Sequence, residues 1–249
     1  MTLADWAALA RTPAGIALTL AIGLVYPLAG WFRFRRLIRR PDPLPRREKL
    51  ALYATIVVSQ WSLVGATALV LAAAGRSLAD VGERAGFVPM QSALVTAALF
   101  VGFAVLSRAT LRQLAATAPG DLPAHVRNAG RILPRDAVEV AAFVPVAITA
   151  GVCEEILYRG WLPWALAGVA GSVATGFVAA AIVFGLGHLY QGRNGVVLTG
   201  LLGLLLGGIA AWTGSLVPGQ ALHVVVDLVN GIAVGAALSL SLHPRPISH

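Results

Sequence analysis

In the C-terminal half of the chain, Glu154, Glu155, Arg159, His188, His223 and Asp227 stand within or at the ends of apolar runs. An ionisable group at the centre of a spanning helix is disfavoured by roughly 2.5–3.5 kcal/mol, so pairing or function must offset it. Glu154 and Glu155 are adjacent, so on a helix they point about 100° apart and cannot do the same job. Glu155 and Arg159 have the i,i+4 spacing that favours an ion pair. That pairing frees Glu154 to face a cavity and act as a general base. His188 follows Phe184 at i,i+4 in FGLGHLY, with Gly185 and Gly187 leaving room for a neighbouring helix or a substrate backbone. His223 and Asp227 are again i,i+4, and Asn230 continues their face at i+7. A polar stripe among valines and leucines faces a protein-lined cavity, not lipid.

One glutamate and two histidines support two chemistries. In the first, Glu154 and His188 hold and deprotonate a water while His223, with the Asp227 side, stabilises the developing oxyanion. In the second, Glu154, His188 and His223 ligate zinc or a similar ion that activates the water. The spacing alone leaves both open. The zinc-protease signature H-E-x-x-H is absent, as are the G-x-S-x-G elbow and the P-loop. The competing bland readings are carboxylates capping a helix end and a structural hydrogen-bond ladder along 223–230. The lone cysteine, Cys153, rules out an intramolecular disulfide and reads as small helix filler.

The elements that must position these groups follow from composition. Hydrophobic residues make up 57% and charged residues 12%, with mean hydropathy +0.78, too apolar for a soluble domain to cover its core. All basic residues but Lys49 are arginine, clustered between apolar runs. That pattern orients a chain in a membrane and argues against nucleic-acid binding. Runs at 12–32, 51–75, 87–106, 137–157, 171–190, 195–213 and 216–240 are each near the 20 or so residues a span needs. The expected fold is all-α, a polytopic transmembrane bundle of about seven or eight spans. The first eleven residues carry Asp5 and Arg11, and the run 12–32 is too long for a signal h-region, so it is expected to be the first span. The basic block Arg33–Lys49, with the stiff PDPLP piece at 41–45, resists translocation. It puts the N-terminus outside and the loops 33–49 and 107–136, Arg193 and Arg245 inside. The loop around 76–86 is balanced, with Arg76 and Arg84 against Asp80 and Glu83.

Taken in order, EEILYRG at 154–160, FGLGHL at 184–189 and HVVVDLVNG at 223–231 resemble the three motifs of the CAAX protease and bacteriocin-processing (CPBP) family. That family is also called the ABI or Ras-converting-enzyme family. Its pattern is E-E-x-x-x-R, F-x-x-x-H and H-x-x-x-N or D. The resemblance covers the catalytic core expected over 137–249, while 1–136 carries plain spans and two basic cytoplasmic loops. It implies an intramembrane glutamate-type endopeptidase with no required cofactor, zinc being the open alternative. By matching positions, Glu154 is the base, His188 its partner, and His223 with Asp227 the oxyanion side. Glu155 and Arg159, with Asn230, play supporting parts. Where the eukaryotic prenyl-protein proteases have Asn, this chain has Asp227. An ionised Asp cannot donate to an oxyanion, so Asp227 orients His223 or is itself protonated.

The expected setting is a bacterial cytoplasmic membrane, and the expected partners are the bilayer and a peptide or membrane-protein tail. The alternatives are a metal-dependent protease with the same residues, an immunity-type membrane protein, and a permease. A permease should carry a second set of polar or broken helices in its N-terminal half, and none is visible. One difficulty concerns depth. Read as straight spans, Glu154 lies near the outer end of its helix, His188 near the inner end of the next, and His223 starts the last span from outside. A broken or re-entrant segment at 158–170, around Pro163, is the expected remedy.

Overall fold

The computed structural model describes residues 1–40, 44–83, 90–117, 126 and 130–242. Pro41, Asp42 and Pro43 of the stiff connector, and Arg84, Asp121, Arg127 and Arg245 of the charge pattern, lie outside the described residues. Within them the chain is helical, with no strand. Its helices are α1 (Leu3–Ala10), α2 (Pro13–Leu37), α3 (Arg46–Ala73), α4 (Met90–Ala116), α5 (Ala137–Ala170), α6 (Val173–Gly187), α7 (Gly192–Thr213) and α8 (Val217–Leu242). Five helices are long and apolar enough to cross a membrane: α2, α3, α5, a helix taking in α7 and the turn before it, and Val217–Ala236 of α8. Ala93–Ala109 of α4, and α6, are shorter apolar helices. The seven apolar runs are therefore seven helices of an all-α membrane bundle.

Two wide π turns each stand just before a proline. Ala21–Val25 precedes Pro27 in α2, and Ile156–Trp161 precedes Pro163 in α5. A proline ring removes one N–H and collides with the carbonyl one turn back. A π turn displaces that carbonyl, so the helix continues through the proline. The break expected at 158–170 is thus corrected: α5 is one continuous helix of 34 residues. It is about 51 Å long against a hydrocarbon core of about 30 Å, and Glu154 sits near its middle rather than at an end.

The depth difficulty is resolved by the turn after α5. Gly171 closes that helix in the left-handed region at φ +71°, and Ser172 caps α6 by accepting from Thr175 N–H. Helix α6 then runs back along the second half of α5, with Gly176 against the backbone of Pro163 and Ala167. Glu154 and His188 are equidistant from Gly171 along the chain, so the hairpin returns His188 to the depth of Glu154. Helix α8 crosses α5 where Gly151 meets the backbone of Val224, a contact that any Cβ would block. That crossing sets His223 beside Glu155.

The main core gathers α1, α2, α3, α5 and α6 around Ile22, Leu71, Leu157, Trp161 and Leu162, all buried. Trp6 of α1 stacks on Trp164 and meets Trp161 edge-on, closing one end of the core. At the other end α3 is tied to the start of α5. Lys49, expected in a cytoplasmic loop, is instead buried in the first turn of α3. Its Nζ lies 2.7 Å from Glu139 Oε2 and donates to the Leu133 carbonyl. Tyr53 donates from its hydroxyl to the Ile132 carbonyl at 2.6 Å.

Asp136 caps α5 by accepting from the N–H groups of Val138 and Glu139, and Arg46 contacts its other oxygen. The Glu139 N–H first, and then the Arg46 guanidinium, hold its carboxyl below the usual carboxylate range. A carboxyl whose pKa is lowered by folding adds stability above its unfolded pKa and loses it as pH falls through the folded value. Asp136→Asn keeps the capping oxygen but not the charge. Thermal melts between about pH 5 and pH 2 should therefore show a shallower acid loss in Asp136→Asn than in wild type. Identical slopes would remove Asp136 from the acid response.

Candidate active site

The site is built on the stretch of α5 where regular helix gives way to the π turn. Glu154 and Glu155 are its last α-helical residues, and Arg159 lies within the π turn. Arg159 Nη1 lies 3.0 Å from Glu155 Oε1, with the two side chains 2% and 1% exposed. The guanidinium carbon stands 4.0 Å over the Phe184 ring, a cation–π contact supplied by α6. Neither terminal guanidinium nitrogen has an aligned hydrogen-bond partner, so the Arg159–Glu155 contact is held by charge. Gly219 of α8 lacks the Cβ that would crowd Glu155 Oε2.

Glu155 does more than pair with Arg159. His223 Nδ1 lies 2.9 Å from the same Oε1, so Glu155 bridges the arginine and the histidine. Glu155 Oε1, facing the Arg159 guanidinium, is placed to accept a hydrogen from Nδ1. The Nε2 edge of His223 faces the other two acids, Glu154 Oε2 at 3.9 Å and Asp227 Oδ2 at 3.8 Å. Both separations exceed hydrogen-bond reach. Sequence reasoning looked to Asp227 as the group orienting His223, but the hydrogen-bonded partner is Glu155. Asn230, on the same face of α8, is exposed and outside this cluster.

His188 is the C-cap residue of α6, and its Nδ1 lies 2.8 Å from the Phe184 carbonyl. A carbonyl only accepts, so Nδ1 carries the hydrogen and the Nε2 of a neutral ring is left as a base. His188 and Glu154 line one cavity of about 520 Å³ with Tyr26, Gln60, Tyr158 and Tyr190. That cavity continues between α2 and α3, past Ala29, Ile56 and Leu52, to Arg33. Gly187 also lines it, whereas Gly185 serves helix packing, lying against the backbone of Val196 and Gly200 in α7.

One contact comes from outside the motifs. Gln60 of α3, 2% exposed, donates from Nε2 to Glu154 Oε1 at 2.8 Å. Its signal in the sequence was faint: an amide beside Ser59 and Ser62 in an otherwise apolar run, with no charge to draw attention.

The arrangement gathers Glu154, Glu155, Arg159, His223 and Asp227 around one point and brings His188 to the wall of the cavity that Glu154 enters. It does not gather the three ligands of the zinc alternative. Among the described residues no three His, Cys, Asp or Glu side chains are grouped closely enough to hold a metal ion. A water held between a carboxylate and an imidazole is the chemistry these positions can support.

The family comparison falls on the same segment. Residues 136–229 match the model described as "Type II CAAX prenyl endopeptidase Rce1-like", a span that takes in α5 to the middle of α8 and every motif residue from Glu154 to Asp227. No curated protein and no solved structure matches the chain. Residues 136–229, which carry the charged cluster around Glu154, are thus similar to the Rce1-like family of CAAX proteases.

Proposed function

We propose that the chain is an intramembrane endopeptidase of the CAAX-protease kind, which cleaves a peptide or membrane-protein tail with water activated by Glu154 and His188. The observation that carries this reading is the division of labour between adjacent carboxylates. Glu155 is committed to Arg159 and His223, while Glu154 enters a cavity large enough for a peptide segment. A water at the head of that cavity would give its proton to Glu154 as its oxygen attacks the scissile carbonyl. His188 would hold the water through Nε2. Protonated His223, with Nδ1–H on Glu155, would turn Nε2–H towards the oxyanion. Asp227, beside that nitrogen, would balance the imidazolium charge. Glu154 would then return its proton to the leaving amine. The expected setting is the cytoplasmic membrane of a bacterium.

The test is the purified protein, in detergent, against a peptide library read by mass spectrometry, with Glu154→Ala as control. Cleavage at internal peptide bonds, lost in the control, is the expected result. Activity should persist at any chelator concentration that spares the fold. Loss on exhaustive chelation with recovery on added zinc would replace the Glu–His scheme by the metal-dependent one.

A further inference from the structure

We propose that Gln60 is a positioning residue of the site, fixing the carboxylate of Glu154 so that one defined oxygen acts as the base. The inference rests on the reading of Glu154 just given and adds a member from α3, outside the matched segment 136–229. Gln60 Nε2 donates to Glu154 Oε1 at 2.8 Å. Glu154 Oε2 is the oxygen that faces His223 Nε2, 3.9 Å away. A free glutamate exchanges its two oxygens by rotation about the last side-chain bond, which is a soft torsion. The Gln60 bond ties down one oxygen and leaves the other towards His223.

The other end of the amide shows what sets its orientation. Gln60 Oε1 is buried and has no hydrogen-bond partner. A buried acceptor without a partner is unfavourable, and methionine of similar size would fill the same space without that penalty. Turning the amide over would aim its oxygen at a carboxylate. The orientation is therefore set by the bond that Gln60 donates to Glu154. Tyr26 of α2 and Ser59 line the same cavity beside Gln60.

The experiment compares Gln60→Met with wild type, using Glu154→Gln to assign the Glu154 bands. Infrared difference spectra read the carboxylate stretch of Glu154 directly and need no substrate. A shift of that band in folded Gln60→Met is expected, together with a fall in kcat of about tenfold to a hundredfold and little change in KM. An unmoved band, or wild-type kcat in the folded variant, would overturn the proposal. If Gln60→Met does not fold, Gln60→Leu also removes the amide donor without adding a charge or a carboxylate band, and the same criteria apply. Full activity in Glu154→Gln would instead overturn the catalytic reading of Glu154, a failure the band measurement separates from that of the Gln60 bond.

Discussion

Glu154→Gln is expected to fold as well as wild type and to lose turnover by about 10²–10⁴-fold, the usual worth of a positioned general base. Glutamine matches glutamate in size, and its amide oxygen can still accept from Gln60, so the packing around 154 is preserved. His188 and His223 remain where they were. What disappears is the group that takes a proton from water. Turnover of the peptide found in the library screen, measured beside a thermal melt, checks both halves of the expectation. Full activity with an unchanged melt would remove Glu154 from the chemistry.

Arg159→Ala should do something different, acting on the fold first. Arg159 and Glu155 are almost wholly buried and 3.0 Å apart. Removing one partner of a buried pair leaves the other uncompensated, at roughly 3–5 kcal/mol, a large part of a typical protein's stability. The variant also loses the contact over Phe184, and Glu155 loses the charge that keeps it an acceptor for His223. Folded yield and melting temperature should both fall, with activity falling further in whatever protein folds. Glu155→Gln gives a graded comparison, because an amide can still accept from His223 while leaving Arg159 unpaired. Wild-type yield and activity in Arg159→Ala would sink the idea that this pair holds the site together.

The parts of the site legible in the sequence were those that obey helical spacing. Charge in an apolar run drew attention to Glu154, His188 and His223, and i,i+4 offsets related Glu155 to Arg159 and His223 to Asp227. Spacing also misled. An offset of seven keeps Asn230 on the face of His223, but two turns of helix carry it about 10 Å along the axis, to an exposed position. Pro163 suggested a break because the π turn that accommodates it has no fixed sequence signature. Without that turn the straight-span reading put Glu154 and His188 at different depths, although both were already equidistant from Gly171. Gln60 was passed over because a neutral amide is unremarkable in a span, and only the fold shows its distance from Glu154. Lys49 sat at the edge of an arginine block and was grouped with it. A partner 90 residues away leaves no local trace.

That separation bears on how the chain is made. Ribosomes elongate at about 5–20 residues per second, so Lys49 emerges roughly 5–20 s before Glu139. During that interval the lysine lacks the acid it pairs with in the folded bundle. The first turn of α3 can settle into its buried position only after the start of α5 has been synthesised. The Lys49–Glu139 contact therefore closes the α3–α5 packing late in synthesis, as a long-range tie that no local element can form in advance.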